Sequence, residues 1–337
     1  MTLARRSATR RFLPGLLVGL GVLAAAHAGL WFFVTARMED ELAVWLAQCR
    51  AAGWSVAAGQ PVRGGWPMEA AIVVPDLVLA GAEADLPGGV SWRAARMELS
   101  VALLRPSLVE MRAVGGQRLR LATLPEFAFD ADRFVVSIPL VAGQPGRAAG
   151  LSAAGLRAAL PTGELGIATL VGHAETRSAT AGSPGAVSFT AAAEAIGLPP
   201  LPRGRPWPLG PRIGSVSVDA TLTGDLPGAT LEVRRLAAAW GPLGLSASAS
   251  MAWDSHRQPM GAAMARMVGY DATLDALTAS GVLAPRVALA VRAVLGILAR
   301  SPDGGGAPQI ELPLTLQDRV LAAGGFPLAK MPELVWP

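Results

Sequence analysis

The chain has one cysteine, Cys49, one lysine, Lys330, and no asparagine among its 337 residues. A lone thiol excludes an intrachain disulfide, so burial must hold this chain together in whatever compartment it occupies. The missing asparagine and near-missing lysine read as codon bias, which makes the abundance of arginine uninformative about a site. Histidine is also sparse. His27 lies in an apolar run, and His173 and His256 stand 83 positions apart with no neighbouring His or Cys, a spacing that argues against a metal cage. There is no G-x-S-x-G elbow, Walker A loop or dinucleotide-binding fingerprint.

Charge is missing where its absence says most. From Phe12 to Val34 the chain runs 23 residues without Asp, Glu, Lys or Arg, and Arg5, Arg6, Arg10 and Arg11 stand just before that run. As a helix such a run reaches about 34 Å, enough to cross a bilayer once while satisfying its own backbone. The four arginines keep residues 1–11 in the cytoplasm as a basic segment, and Glu39, Asp40 and Glu41 lie beyond the far end, so the remainder is expected to be exported. A cleavable signal peptide ending at Ala26-His27-Ala28 is the competing reading. Against it, the run continues through Leu30, Trp31, Phe32, Phe33 and Val34, longer than a signal core and with aromatics at the expected interface. Residues 12–34 therefore read as a transmembrane anchor. Thr9 to Leu13 faintly suggests a twin-arginine signal and is taken as topology only. Gly15 and Gly19 give a GxxxG spacing that permits close packing of two such helices.

The isoelectric point of about 10.4 comes from the anchor's flank. Residues 1–11 hold four of the 29 basic side chains and no acid, leaving 25 against 25 in the rest. A neutral body of this kind has no global field that draws it to nucleic acid.

Beyond the run, Leu42, Trp45, Leu46 and Cys49 recur with helical spacing, and Gly53 is a natural stop, so residues 35–53 are expected to continue outward as an amphipathic helix. The period then changes to two. Met97, Leu99 and Val101 alternate with Arg96, Glu98 and Ser100, and Leu119 and Leu121 with Arg118 and Arg120. Residues 54–196 form a first β-rich half. The prolines between Gly197 and Pro211 make 197–211 a stiff connector. In the second half, 212–337, Val216 to Leu222 and Leu245 to Met251 alternate with polar residues, the pattern of antiparallel strands with one wet face. Val287, Val291, Val294, Leu295 and Leu298 predict a packed helix after Pro285. Ile310 to Leu316 return to alternation, with Pro313 demoting that strand to an edge or a bulge. Trp92 and Trp240, each expected to open an alternating strand, hint at two related halves. The fold class is mainly β with some α: an N-terminal transmembrane helix followed by a large, curved, mostly antiparallel sheet with a few packed helices.

Candidate chemistry is thin. His173 and Glu175 share a strand face, but a solvated face explains them. Asp130 and Asp132 look like a carboxylate pair on one strand, with Arg133 beside them, although exposed edge charges explain these too. Cys49 lies on the apolar stripe and reads as a core thiol, and Ser246, Ser248 and Ser250 as the wet side of a sheet. No catalytic, cofactor-binding or metal-ligating residue is assigned, and no cofactor.

Arg63-Gly64-Gly65-Trp66-Pro67-Met68, followed by Ile72 to Leu79, resembles the bacterial family called domain of unknown function 2125. Trp207-Pro208-Leu209-Gly210-Pro211, Trp240-Gly241-Pro242-Leu243, Leu312 to Asp318 and Met331-Pro332 extend the resemblance from about Ala36 to Pro337. Trp66 and Arg319 depart from the usual Phe or Tyr and Gly. The resemblance implies one N-terminal anchor and an exported β-rich domain of undefined activity, distantly similar to AsmA-type envelope proteins, and it brings no functional residues.

The expectation is thus a single-pass inner-membrane protein with a periplasmic, non-enzymatic main domain, in contact with membrane lipid through residues 12–34. An apolar sheet face lined by small residues such as Ala247 and Ala249 would take a lipid ligand or an envelope protein partner, and no nucleic acid. The alternative is an envelope enzyme whose acid and base groups, Asp130, Asp132 or His173, are assembled only by folding.

Overall fold

The computed structural model describes residues 9–82, 88–104, 106–122, 124–140, 148–180, 183–224, 228–301 and 307–333, with side chains from residue 16 onward. Arg5 and Arg6, the side chains of Arg10 and Arg11, the Gly15 half of the GxxxG pair and the terminal Pro337 lie outside that description.

The apolar run and the amphipathic segment form one helix. α1 spans Thr9–Ala51, 43 residues without a break at the expected 34/35 boundary. It ends as its sequence requires. Gly53 takes φ +86°, its N–H donates to the Arg50 carbonyl, and the Trp54 N–H donates to the Cys49 carbonyl, the paired bonds that close a helix on a left-handed glycine. From Leu16 to Leu23 the leucines and valines of α1 are exposed, with no protein packed against them.

The strands follow in chain order: β1 (Ser55–Ala57), β2 (Val62–Gly64), β3 (Glu69–Gly81), β4 (Val90–Ala102), β5 (Leu108–Leu121), β6 (Phe127–Asp130), β7 (Arg133–Pro139), β8 (Ala148–Leu160), β9 (Gly163–Arg177), β10 (Ala186–Gly197), β11 (Arg212–Thr223), β12 (Thr230–Trp240), β13 (Leu243–Trp253), β14 (Pro259–Val268), β15 (Gln309–Gln317), β16 (Val320–Ala323) and β17 (Phe326–Lys330). All belong to one 17-stranded antiparallel sheet in which most chain neighbours pair, except that β6 and β7 lie end to end between β5 and β8, each pairing with both. β3 takes both short strands, β1 and β2, on its far side. The proline-rich residues 198–211 lie between β10 and β11, which pair directly, and the Leu198 N–H donates to the Pro211 carbonyl across the base of that loop.

Because side chains alternate along each strand, register decides which residues share a face. One row of partners runs Phe134, Ala153, Leu170, Ala193, Val216, Ala238, Leu245, Met267, Ile310 from β7 to β15, every member apolar. A row on the opposite face runs Gly150, His173, Thr190, Asp219, Arg235. The sheet therefore has one apolar and one polar side along its length.

The apolar side is buried unevenly. Ile72, Val74, Leu77, Ala94, Met97 and Ala113 are buried where β3, β4 and β5 meet α1, and Phe129, Ala153, Leu156 and Ala158 form a second cluster on β6 and β8. Among the described apolar residues of β11 to β15, only Ala220 and Ile310 are buried.

Several expectations need correction. Trp92 lies inside β4, but Trp240 closes β12 and does not open a strand, so the two tryptophans occupy different places and the hint of duplicated halves loses its basis. The helix expected near the end exists as α3 (Pro285–Leu298), preceded by α2 (Tyr270–Ala279), yet it is lightly packed. Val287, Val294 and Leu298 are exposed, and Ala288, Val291 and Leu295 form the covered stripe. Pro313 sits where the ladder needs no donor: β15 pairs with β16 only from Leu314, and the Gly324 N–H meets the Pro313 carbonyl just beyond. β15 is an interior strand after Pro313 and lacks a β16 partner before it.

Candidate functional site

The sequence places apolar residues on the outer half of α1 at helical intervals, and the fold turns them onto the apolar side of the sheet. Leu42 and Leu46 pack against Val74, Leu77 and Met97. A cavity of about 390 Å³ remains between helix and sheet, walled by Met38, Leu42 and Trp45 on one side and by Val74, Met97 and Met111 among others on the other. Glu41 is its one charged neighbour and pairs with Arg37 at 3.0 Å. Apart from that paired carboxylate, the wall is hydrocarbon, indole and thioether and offers no nucleophile. It offers transfer out of water, about 0.8 kcal/mol for each methylene enclosed. Beyond the cavity the apolar side continues half-exposed, with Leu236 and Leu245 more than two-fifths open to solvent. Two shallow grooves, of about 460 and 620 Å³, lie along the later strands, lined among others by polar-side residues such as His173 and Asp219 in the first and Arg234 and Ser248 in the second.

A second assembly fixes α1 to the sheet nearer the N-terminus. The turn between β2 and β3, Gly65 to Met68, wraps the helix at His27, Trp31 and Thr35. The Trp31 Nε1–H reaches the carbonyls of Gly64 and Glu69 at 3.2 and 3.1 Å, and His27 Nε2 lies 2.7 Å from the Pro67 carbonyl. Trp31, Ala70 and Leu103 form a small buried cluster. Thr35 is fully buried, its hydroxyl donating back to the Trp31 carbonyl at 2.9 Å. Trp66 meets the Trp31 ring edge-on at 5.8 Å and the His27 ring at 5.2 Å. Two turns further along, Arg63 grips Glu39 with two bonds, of 2.9 and 2.6 Å. That bond from Arg63 holds the Glu39 carboxyl below the ordinary carboxylate range, against a smaller opposing effect of burial.

The residues weighed for chemistry are placed as follows. Asp130 ends β6 and Asp132 precedes β7, so they do not share one strand as expected. Their carboxylates still converge, on Arg157 of β8 at 3.2 and 2.9 Å, and Arg133 does not take that place. Both acids are exposed and Arg157 is partly so, and the hydrogen bond that Arg157 donates to Asp132, with the charges of both acids, raises the Arg157 pKa. Gly155 makes this possible: it lies at φ +59°, and a Cβ there would come within 2.0 Å of the Asp132 carboxylate. His173 lies on the polar side of β9, opposite Thr190, with Asp219 one strand further in the same row. His256 sits in the turn after β13, its backbone N–H donating to Asp254. Cys49 is half-buried and free, in line with Leu42 and Leu46. Ser248 and Ser250 point to the polar side, as their spacing predicts. Among the described residues no cluster of His, Cys, Asp or Glu could hold a metal ion.

Sequence reading missed Arg157 and the wrapping turn. Arg157 is 25 positions from Asp132, in an alanine-rich stretch without an alternation signal. The turn did leave a trace, since Gly65-Trp66-Pro67 carries the family resemblance, but nothing in its spacing showed that its partner is the helix.

A sequence profile described as "Uncharacterized protein conserved in bacteria (DUF2125)" matches residues 31–332. Neither a curated protein nor a solved structure matches the chain.

Proposed function

The chain belongs to the DUF2125 family, and from that premise we propose that it is a non-enzymatic, membrane-anchored module whose apolar sheet side holds a lipid acyl chain. The observation that carries this reading is the 390 Å³ cavity between α1 and β3 to β5, walled almost wholly by hydrocarbon and thioether. It adjoins the one helix among the described residues that is long and apolar enough to cross a membrane. A chain entering it leaves water, gains several kcal/mol over six or so methylenes, and meets no polar group that would go unpaired. The Arg37 and Glu41 side chains are close enough to the lining to face a polar headgroup. In this reading residues 12–34 are an uncleaved inner-membrane anchor, the N-terminus is cytoplasmic and the sheet is periplasmic, in keeping with the arginines before the run and the acids after it.

The test is mass spectrometry of lipids retained by the full-length protein purified in detergent. Near-stoichiometric lipid is expected, with most of it lost in Leu99→Trp, whose larger ring projects into the cavity from a half-buried position. Retention no higher than that of an unrelated single-pass protein overturns the reading.

A further inference from the structure

We infer that the β2–β3 turn is membrane-embedded: Trp66 and Met68, with Leu104 just past β4 beside them, lie in the interfacial layer of the bilayer beside α1, with lipid as their partner. This rests on the proposed anchor and adds where the domain sits on it.

The inference follows first from length. The apolar run begins at Phe12, and the wrapping turn takes hold of α1 at His27. Fifteen residues of the run precede that grip, a helix of about 22 Å, whereas the hydrocarbon core is about 30 Å thick and needs about 20 residues. Spanning therefore brings the membrane up to about residue 31, the level at which Trp66 stacks on Trp31 and His27. What grips the helix there must share its surroundings.

The exposed side chains at that level suit lipid. Trp66 is 52% exposed, Met68 75% and Leu104 87%, and they neighbour one another through the bond from the Leu103 N–H to the Met68 carbonyl. Their surface is continuous with that of α1, where Leu30, Phe32 and Phe33 are exposed. Tryptophan at the boundary of a span is the expected residue type.

The backbone nearly meets a stricter requirement, with only the Trp66 carbonyl left for headgroup water. A turn at the edge of the hydrocarbon is favoured when it satisfies its own carbonyls, since little water is present to do so. Those of Gly64 and Glu69 accept from Trp31, that of Gly65 from the Glu69 N–H and that of Met68 from the Leu103 N–H, while that of Pro67 meets His27. Pro67 itself has no N–H to satisfy. Charge on α1 begins further out, with Arg37 on Glu41 and Arg63 on Glu39, six to ten residues past Trp31, or about 9–15 Å along the axis, and the Glu69 carboxylate at the end of the turn is paired with Arg112. The water boundary falls between the two levels.

The experiment places single cysteines in a Cys49→Ala background of the full chain, labels them with an environment-sensitive fluorophore, and reconstitutes the protein in vesicles of phosphatidylethanolamine and phosphatidylglycerol. Quenchers are attached to the lipids near the headgroup or at mid-chain. Labels at Met68→Cys and Leu104→Cys are expected to lose most of their emission to the headgroup-proximal quencher and little to an aqueous one. Leu20→Cys is expected to be quenched at mid-chain and Val282→Cys, at the opposite end of the sheet, by neither lipid quencher. If Leu20→Cys is quenched at mid-chain while Met68→Cys and Leu104→Cys respond only to the aqueous quencher, the anchor stands and the embedding of the turn is overturned. If Leu20→Cys is not quenched by lipid, the anchor itself falls and the embedding with it. All four positions are exposed, so labelling does not disturb packing.

Discussion

Trp31 does three things with one side chain: it fills the contact with Ala70 and Leu103, supplies a donor to two turn carbonyls and stacks on Trp66. Trp31→Ala is expected to lower the stability of the full chain in detergent by about 3–5 kcal/mol, the usual cost of emptying a buried aromatic site. Trp31→Phe keeps most of the ring but leaves those carbonyls without their donor, and about 1–3 kcal/mol is expected. Denaturant unfolding checks both: no loss in Trp31→Phe would show that the hydrogen bonds contribute nothing, and equal losses for the two variants would show that the ring packing contributes nothing. At Gly155 a side chain meets both an unfavourable backbone and the Asp132 carboxylate. Gly155→Ala should therefore cost about 1–3 kcal/mol, measured in the same way, and should cost less in an Asp132→Ala background where the collision is gone.

At the scale of elements, the join between α1 and the β2–β3 turn should respond to pH through Glu39. Its pKa in the folded protein lies below the ordinary carboxylate value because Arg63 hydrogen-bonds its ionised form. The stabilisation is therefore complete above the unfolded carboxylate pKa and is lost as pH falls through the lower folded value. Acidification below the usual carboxylate range should loosen the turn, seen as lower amide-exchange protection, relative to the intrinsic rate at each pH, at Gly65, Trp66, Met68 and Glu69, and Glu39→Gln should remove that part of the pH dependence. This join also shows how far the sequence could be read. α1 and the alternating strands β4, β11, β13 and β15 were legible because periods of 3.6 and 2 are written in their side chains. β8 was not: Ala148 to Leu160 is rich in alanine and glycine, a composition without contrast between faces, and only pairing with β7 and β9 makes it a strand. The cavity was legible only in half, since the Leu42, Trp45 and Leu46 stripe announces a buried helix face but not the sheet residues opposite. The Asp130 and Asp132 pairing with Arg157 depends on a break between β6 and β7 that local spacing does not reveal.

At the scale of the whole molecule, an open sheet has ends. Among the described residues β17 pairs only with β16, and it is exposed throughout, so its other edge is open to recruit another strand. Pro327 and Lys330 stand in it, the residue types that discourage such pairing by a missing donor and by charge. Pro327→Val together with Lys330→Val should promote self-association, detected as a rise in mass by light scattering at unchanged helix and strand content. An unaltered mass would mean that other features protect this edge.

The unbroken helix from Thr9 to Ala51 leaves no hinge between the stretch suited to lipid and the stretch that completes the core. Under the proposed anchoring, leaning of the rod in a membrane is then leaning of the sheet, and local thinning or thickening of the bilayer reaches the cavity mechanically. A soluble fragment beginning after Ala51 would be an unroofed fold, with Val74, Leu77 and Met97 turned out to water.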